Sequence, residues 1–225
     1  MTPVVICWSG GKDSALTLSA LRADPAWKPV ALLTTFTREF DRVSMHGVRR
    51  KLIHTQAEAL ALPLREVFIT AGANNVEYEA AMSAELLALR EQGVTTIAFG
   101  DLFLADIRAY RERLLGQLGL TPLFPIWGRD TARLAREFIA DGFRATLCCV
   151  DTRALPAEFA GREFTAELLA AFPPAVDPCG ENGEFHSFVH HGPDFRQSLD
   201  ITVGAERKDE PFVFRDLLPT SLANP

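Results

Sequence analysis

The sequence predicts an α/β fold, a doubly wound parallel sheet followed by a smaller C-terminal α+β lobe, and three observations predict it. Short apolar runs alternate with stretches of helical apolar spacing through the first part of the chain, the pattern of strand–helix–strand units. The first run passes into a glycine-rich turn and then into good helix formers, so strand, tight loop and helix succeed one another. Beyond Leu120 the alternation gives way to prolines and glycines, and the chain ends in three strand-like runs. The boundary falls after residue 120, giving segments 1–120 and 121–225.

Val4–Cys7 is β-branched and ends before two glycines, as a buried strand does, and Ala15–Leu21 continues it as a helix. Pro29–Phe36 is the second buried strand, at a spacing that implies a right-handed crossover. Arg38–Gly47 is polar, as expected of a loop at the carboxyl edge of the sheet. Val48, Leu52, Gln56 and Leu60 recur at helical spacing, and Glu66–Ile69 is the next extended run. Asn74 or Asn75 caps a helix with inner face Tyr78, Met82, Leu86 and Leu89, closed by Gly93. Thr95–Phe99 is the fourth strand, stopping at Gly100-Asp101, and Ile107, Tyr110, Leu114 and Leu118 line the helix after it.

In the second segment Asp130 caps a helix carrying Leu134 and Phe138-Ile139, closed at Gly142. Ala145–Val150 is a strand, and Phe164, Leu168 and Phe172 suggest a helix stopped by Pro173-Pro174. Phe185–Val189, Leu199–Val203 and Phe212–Phe214 are the final strands, and Thr220–Pro225 is expected to fray.

A formal net charge of −6 disfavours a broad grip on nucleic acid. No apolar run approaches membrane-spanning length, and the chain enters its first strand without a charged leader, so no membrane partner is expected. Four cysteines in a chain of this length make no disulfide framework, and a reducing cytoplasm is the expected home.

The chemistry concentrates at Trp8-Ser9-Gly10-Gly11-Lys12-Asp13-Ser14. Gly10 and Gly11 leave the backbone amides open to an oxyanion, and the helix that follows aims its unpaired N–H groups at the same place. Lys12 adds a cation, expected to be solvated, and Ser9 and Ser14 add hydroxyls: a phosphate cradle. It is not a Walker loop, because Ile6 and Asp13 stand where a glycine and a hydroxyl belong. Nor is it a dinucleotide fingerprint, which needs a third glycine. The Ser-Gly-Gly-Lys-Asp-Ser run closely resembles the signature loop of the ATP pyrophosphatases, the PP-loop superfamily. That resemblance implies ATP gripped by its β- and γ-phosphates and cleaved between α and β.

Ligands of open parallel sheets bind outside the carboxyl ends of the strands. That rule adds Phe36, against which an adenosine can lie, and Gly100-Asp101, where Asp101 either ligates Mg2+ or orients a substrate, or else caps the helix starting near Asp106. Asp13 is the other expected Mg2+ ligand. The run Met45–Arg50 offers His46 and two arginines, of which Arg49 is the better polyphosphate contact. In Pro178–Phe188, Glu181, Glu184 and His186 crowd one turn, although Asn182-Gly183 alone is a hairpin signal. Zinc binding by Cys179, His186, His190 and His191 matches no standard spacing, and Cys148-Cys149 reads as a buried pair.

Together with Leu118–Trp127, these stretches resemble the diphthine–ammonia ligase family over nearly the whole chain. The resemblance implies a Rossmann-like sheet of the HUP and PP-loop kind, an ATP-binding domain at 1–120 and a substrate-binding lobe at 121–225. It implies ATP with Mg2+, ammonia, and a carboxylate acceptor on a small molecule or a protein side chain, in a chain that admits a homodimer. The carboxylate is adenylated and then amidated. Lys12, Asp101, Glu181 and Glu184 are the expected catalytic residues, with Glu184 first choice as acid–base. Asn182 and His186 depart from the diphthamide-making pattern, where a glycine and an acidic residue are usual. The alternatives are an ATP-sensing protein without chemistry, against which Asp13, Asp101, Glu181 and Glu184 argue, and a PP-loop sulfur-transfer enzyme acting on tRNA. The latter wants a C-x-x-C loop and a basic face, and the sequence has neither.

Overall fold

The computed structural model describes residues 1–220, so the terminus expected to fray lies, from residue 221 on, outside the described residues. In chain order the elements are β1 (Thr2–Cys7), α1 (Lys12–Ala23), β2 (Trp27–Thr37), β3 (Arg42–Val43), α2 (Arg50–Leu60), β4 (Leu64–Ile69), α3 (Asn75–Glu91) and β5 (Thr96–Ala98). Then come α4 (Ala105–Gln117), β6 (Thr121–Leu123), α5 (Thr131–Ala140), β7 (Arg144–Asp151), α6 (Ala166–Ala170), β8 (Phe185–His191), β9 (Ile201–Asp209) and β10 (Phe212–Pro219). They form two compact units. One holds Met1–Ser9, Asp13–Ser44 and Leu62–Arg129; the other holds Gly10–Lys12, Met45–Ala61 and the chain from Asp130 on.

The first unit is the doubly wound sheet. Its parallel strands lie in the order β4-β2-β1-β5-β6, with β3 folded antiparallel onto the end of β2. The chain steps outward from β1 through β2 to β4, then returns to set β5 against β1. This reversal is the topological switch point of such sheets, and it opens beyond the carboxyl ends of β1 and β5. Val4, Val5 and Ile6 are wholly buried because β1 is central and covered on both faces. Helix α3 starts where the Asn74 side chain accepts from the Glu77 N–H and Glu77 reaches back to Asn74, a reciprocal cap. Its Met82, Leu86 and Leu89 pack with Val5, Leu33, Ile97 and Leu115 in the core.

Two details differ from the expectation. Thr121–Leu123 is a fifth parallel strand, pairing with Thr96–Ala98. Pro122 hides it in the sequence, but at an edge a proline forfeits no ladder bond. On α4 the buried pair is Leu114 and Leu115, whereas Ile107 is exposed.

The second unit is built on an antiparallel sheet in the order β8-β7-β10-β9. Asp130 caps α5 by accepting from the Arg133 N–H at 2.7 Å, and Leu134, Ala135 and Phe138 turn inward. Phe138 stacks on Phe143 and meets Phe164 edge-on. The helix expected from Phe164 to Phe172 is shorter: Thr165 caps it and Ala170 ends it. Cys148 and Cys149 are buried in central β7, where burial pushes both thiols up, Cys149 to about 12. Among the described residues no helix is long and apolar enough to cross a membrane.

Burial, joined by the charge of Arg144, holds His190 on β8 down at about 4, against the opposing carboxylate of Glu163. The unfolded chain takes up that proton near 6.5, so it binds more protons between those values and stability falls as pH drops from 6.5 toward 4. A loss of roughly 1–3 kcal/mol is expected across that window. Urea unfolding at several pH values checks it; a flat midpoint through the window contradicts it.

Candidate functional site

The exit of β1 is pinned before the glycines begin. Trp8 donates its N–H to the Leu33 carbonyl at 2.8 Å, and its own carbonyl accepts from the Thr34 hydroxyl at 2.7 Å. Gly10 then takes a positive φ of 82°. A Cβ there would stand 2.7 Å from Ile53 Cδ1 and 2.9 Å from Gln56 Oε1, so only glycine fits. The Gly10 carbonyl accepts from Gln56 Nε2 at 3.0 Å and from the Val189 N–H at 2.9 Å, which turns it toward α2 and β8. Gln56 also donates to the Val189 carbonyl, at 2.6 Å. Helix α1 starts at Lys12, with Asp13 half-buried in its first turn and Ser14 buried behind it.

Lys12 corrects an expectation. It is not a solvated loop cation but is 2% exposed. Its N–H donates to Ser187 Oγ at 3.2 Å, its ammonium donates to the Cys179 carbonyl, and the charge lies over the Phe185 ring at 5.4 Å. The turn from Cys179 to Ser187, remote in sequence, is thus gathered onto Gly10–Lys12 within the second unit. That is the juxtaposition expected of the Gly180–Phe188 stretch.

The turn itself is not a hairpin, since no strand precedes it. Two carboxylates tie it instead. Asp177 accepts from the N–H groups of Cys179 (3.1 Å) and Glu181 (3.0 Å). Glu184 accepts from the N–H groups of Asp177 (2.9 Å) and Asn182 (3.0 Å) and from the Asn182 amide (3.0 Å). Gly180 has a positive φ, and a Cβ there would meet the Phe185 carbonyl at 2.9 Å. Glu181 is half-buried at the bend and Glu184 is buried. Glu184→Gln sets an NH2 group against N–H donors, so a loss of about 1–3 kcal/mol in stability is expected. Equal unfolding midpoints for the two proteins would contradict the tie.

Beside Lys12 two histidines stack, His46 on His186, with centroids 4.2 Å apart and planes 28° off parallel. His46 stands between Met45 and Gly47, both at positive φ. Burial first, and then the Lys12 charge, lowers His186 to about 4. Burial, His186 and Lys12 together hold His46 well below its ordinary value, against a hydrogen bond to the Ser187 backbone. The sequence places both rings in candidate stretches but gives no sign that they meet.

Arg49 precedes α2 and is forked onto Asp216 of β10, Nε to Oδ1 at 2.9 Å and Nη2 to Oδ2 at 2.5 Å. Its charge is therefore already matched by a carboxylate, which the polyphosphate expectation did not foresee.

In the first unit Gly100 follows β5. A Cβ at that position would stand 2.9 Å from the carbonyl carbon and oxygen of Asp13, so the missing side chain lets the start of α1 lie against the end of β5. Asp101 accepts a fork from Arg111, at 2.5 and 3.1 Å, and that guanidinium lies over the Phe99 ring at 4.3 Å. It is not the cap of α4, whose N-cap residue is Leu104. Phe36 offers no face to an adenosine: it is fully buried, paired with Val43 and packed on Phe68 at 5.9 Å. The reason is that β2 runs on to Thr37 with β3 and β4 along it. Among the described residues no three His, Cys, Asp or Glu side chains gather as a metal site, and the Cys179 thiol donates to the Thr131 carbonyl.

Comparison with known proteins gives consistent matches along the chain. The family model described as the diphthamide synthase N-terminal domain matches residues 2–122, and that of the C-terminal domain matches residues 130–215. The diphthine–ammonia ligase of Danio rerio is 27% identical over 231 residues, covering 91% of this chain and 89% of that protein. The Homo sapiens enzyme of the same name is 27% identical, covering 86% of this chain and 80% of that one. A solved structure described as a predicted subunit of tRNA methyltransferase from Methanocaldococcus jannaschii aligns with a TM-score of 0.43 at 17% identity, over 65% of this chain and 80% of that one. That likeness is too remote to argue from. The N-terminal model alone spans more than half of the sequence and the C-terminal model takes up most of the rest, so the chain belongs to the diphthamide synthase family.

Proposed function

We propose that this chain is an ATP-dependent ligase that adenylates a carboxylate with release of pyrophosphate, then joins ammonia to the activated acyl group as an amide. The observation that carries the reading is the closure of Cys179–Ser187 onto Gly10–Lys12, in a chain matched by both diphthamide synthase models. The relatives named diphthine–ammonia ligase point to ammonia as the nitrogen source and to diphthine as the first acceptor to try. The acceptor is a carboxylate on a protein side chain or a small molecule. In this reading residues 1–120 serve ATP, residues 121–225 serve the acceptor, and the cytoplasm is the setting.

The residues present suit a polyphosphate. Gly10 and Gly11 carry amides without side chains beside them, α1 begins at Lys12 with the positive end of its dipole, and Ser9 and Ser14 supply hydroxyls. Lys12, buried in a low dielectric, stabilises charge gathering on a departing pyrophosphate more than an exposed lysine does. Mg2+, when bound, would neutralise phosphate charge. Asp13 fits it as a ligand, whereas Asp101, already forked by Arg111, fits the orientation of that guanidinium. Glu184 holds the turn, and Glu181, half-buried at its bend, is the carboxylate assigned to an incoming ammonium. Sulfur transfer is disfavoured by Cys7, Cys148 and Cys149, whose thiols burial pushes up and so keeps protonated.

The test is a mass-spectrometric search of extracts and of diphthine-bearing protein for acids converted to amides. Conversion should require the protein, ATP and ammonium, and heavy nitrogen from labelled ammonium should appear in the product. Conversion with unlabelled nitrogen only, or without ATP, contradicts the reading.

A further inference from the structure

We propose that His46, its plane fixed by the stacked ring of His186, accepts the proton of the nitrogen nucleophile through Nδ1. The inference rests on the ligase reading above and adds a residue to it. His46 Nδ1 is a buried polar atom that has no hydrogen-bond partner among the described residues. A buried lone pair without a donor is costly, so such an atom marks a place where a donor is meant to arrive. The ring bonds instead to the Ser187 backbone, the residue whose hydroxyl takes the Lys12 N–H. The orphan nitrogen therefore belongs to the same cluster as Gly10–Lys12 and the 179–187 turn.

The chemistry suits a small N–H donor. Burial and the Lys12 charge keep both rings neutral at ordinary pH, so the lone pair is available rather than protonated. The His186 ring lies flat on that of His46, which holds the imidazole plane without occupying Nδ1. As ammonia attacks the acyl carbon, the new N–C bond forms and one N–H proton passes to Nδ1. The acyl C–O bond to AMP then breaks, AMP leaves with the electron pair, and the imidazolium returns its proton to solvent. Glu184 is poorly suited to this step because its oxygens already accept three donors.

Adenylation precedes the step and needs no nitrogen base, so the two halves of the reaction separate the outcomes. Acceptor-dependent exchange of labelled pyrophosphate into ATP reports the first half, and amide release reports the second. His46→Gln, which keeps a donor near Ser187 but has no acceptor at the Nδ1 position, should retain exchange and lose amide formation by ~10²–10³-fold. His46→Ala should show the same split and recover amide formation when imidazole is added. His186→Phe, which keeps a stacked ring, should retain most activity. Amide formation by His46→Gln at the parent rate overturns the inference and leaves the ligase reading standing. No exchange by the parent protein overturns both. Should His46→Gln not fold, His46→Ala with and without imidazole decides alone, and loss without rescue counts against the proton-accepting role.

Discussion

Lys12→Met is expected to bring ATP-dependent turnover down by ~10²–10³-fold, the usual cost of removing a preorganised charge from a closed site. Methionine keeps an unbranched stem but removes the ammonium that lies over the Phe185 ring and donates to the Cys179 carbonyl. That carbonyl is then left short of a donor, so a stability loss of about 1–3 kcal/mol should accompany the loss of rate. The pairing of effects separates this account from one in which Lys12 is a mobile surface cation, where turnover would fall with no change in stability. Single-turnover pyrophosphate release and urea unfolding of the same protein measure the two. Unchanged turnover contradicts the assignment of Lys12.

Gly10→Ala is expected to be the most destabilising single change in the loop, by about 2–5 kcal/mol. Left-handed backbone costs a residue with a Cβ ~1–2 kcal/mol, and overpacking adds ~1–3 kcal/mol. The second contribution comes from Ile53 Cδ1 and Gln56 Oε1, at 2.7 and 2.9 Å from the new methyl. Gln56 cannot move freely, since its amide holds the carbonyls of Gly10 and Val189. Gly183→Ala is the control: its φ of 87° is as unfavourable, yet no atom lies within 4 Å of the added Cβ. It should lose only the backbone part. If the two alanines cost the same, the packing around Gly10 is not what requires glycine.

The sheet of the first unit was legible because its signals are local. Val4–Cys7 is apolar throughout, as a strand buried on both faces must be, and α3 is bounded by the capping side chain of Asn74 and the positive φ of Gly93. Thr121–Leu123 escaped notice because three residues containing a proline show no periodicity. The phosphate loop was legible for the same local reason: its glycines and Lys12 are consecutive. That Lys12 is buried within it was not. The burial of Lys12 depends on Cys179, Phe185 and Ser187, and the stacking of His46 on His186 spans a comparable stretch of chain. No spacing rule reaches that far. The surroundings of Phe36 and Arg49 were hidden for a related reason. Residue type and position at a strand end or helix start suggested ligand contacts, while burial beside Phe68 and the fork to Asp216 are tertiary facts.

The most direct test of the central claim is to follow ATP labelled at its α-phosphate in the presence of ammonium and an accepted carboxylate. The account predicts labelled AMP, formed in step with pyrophosphate and with the amide, and sharply reduced by Lys12→Met. Labelled ADP with release of inorganic phosphate would contradict it, because the bond between the β- and γ-phosphates would then be the one that is cut.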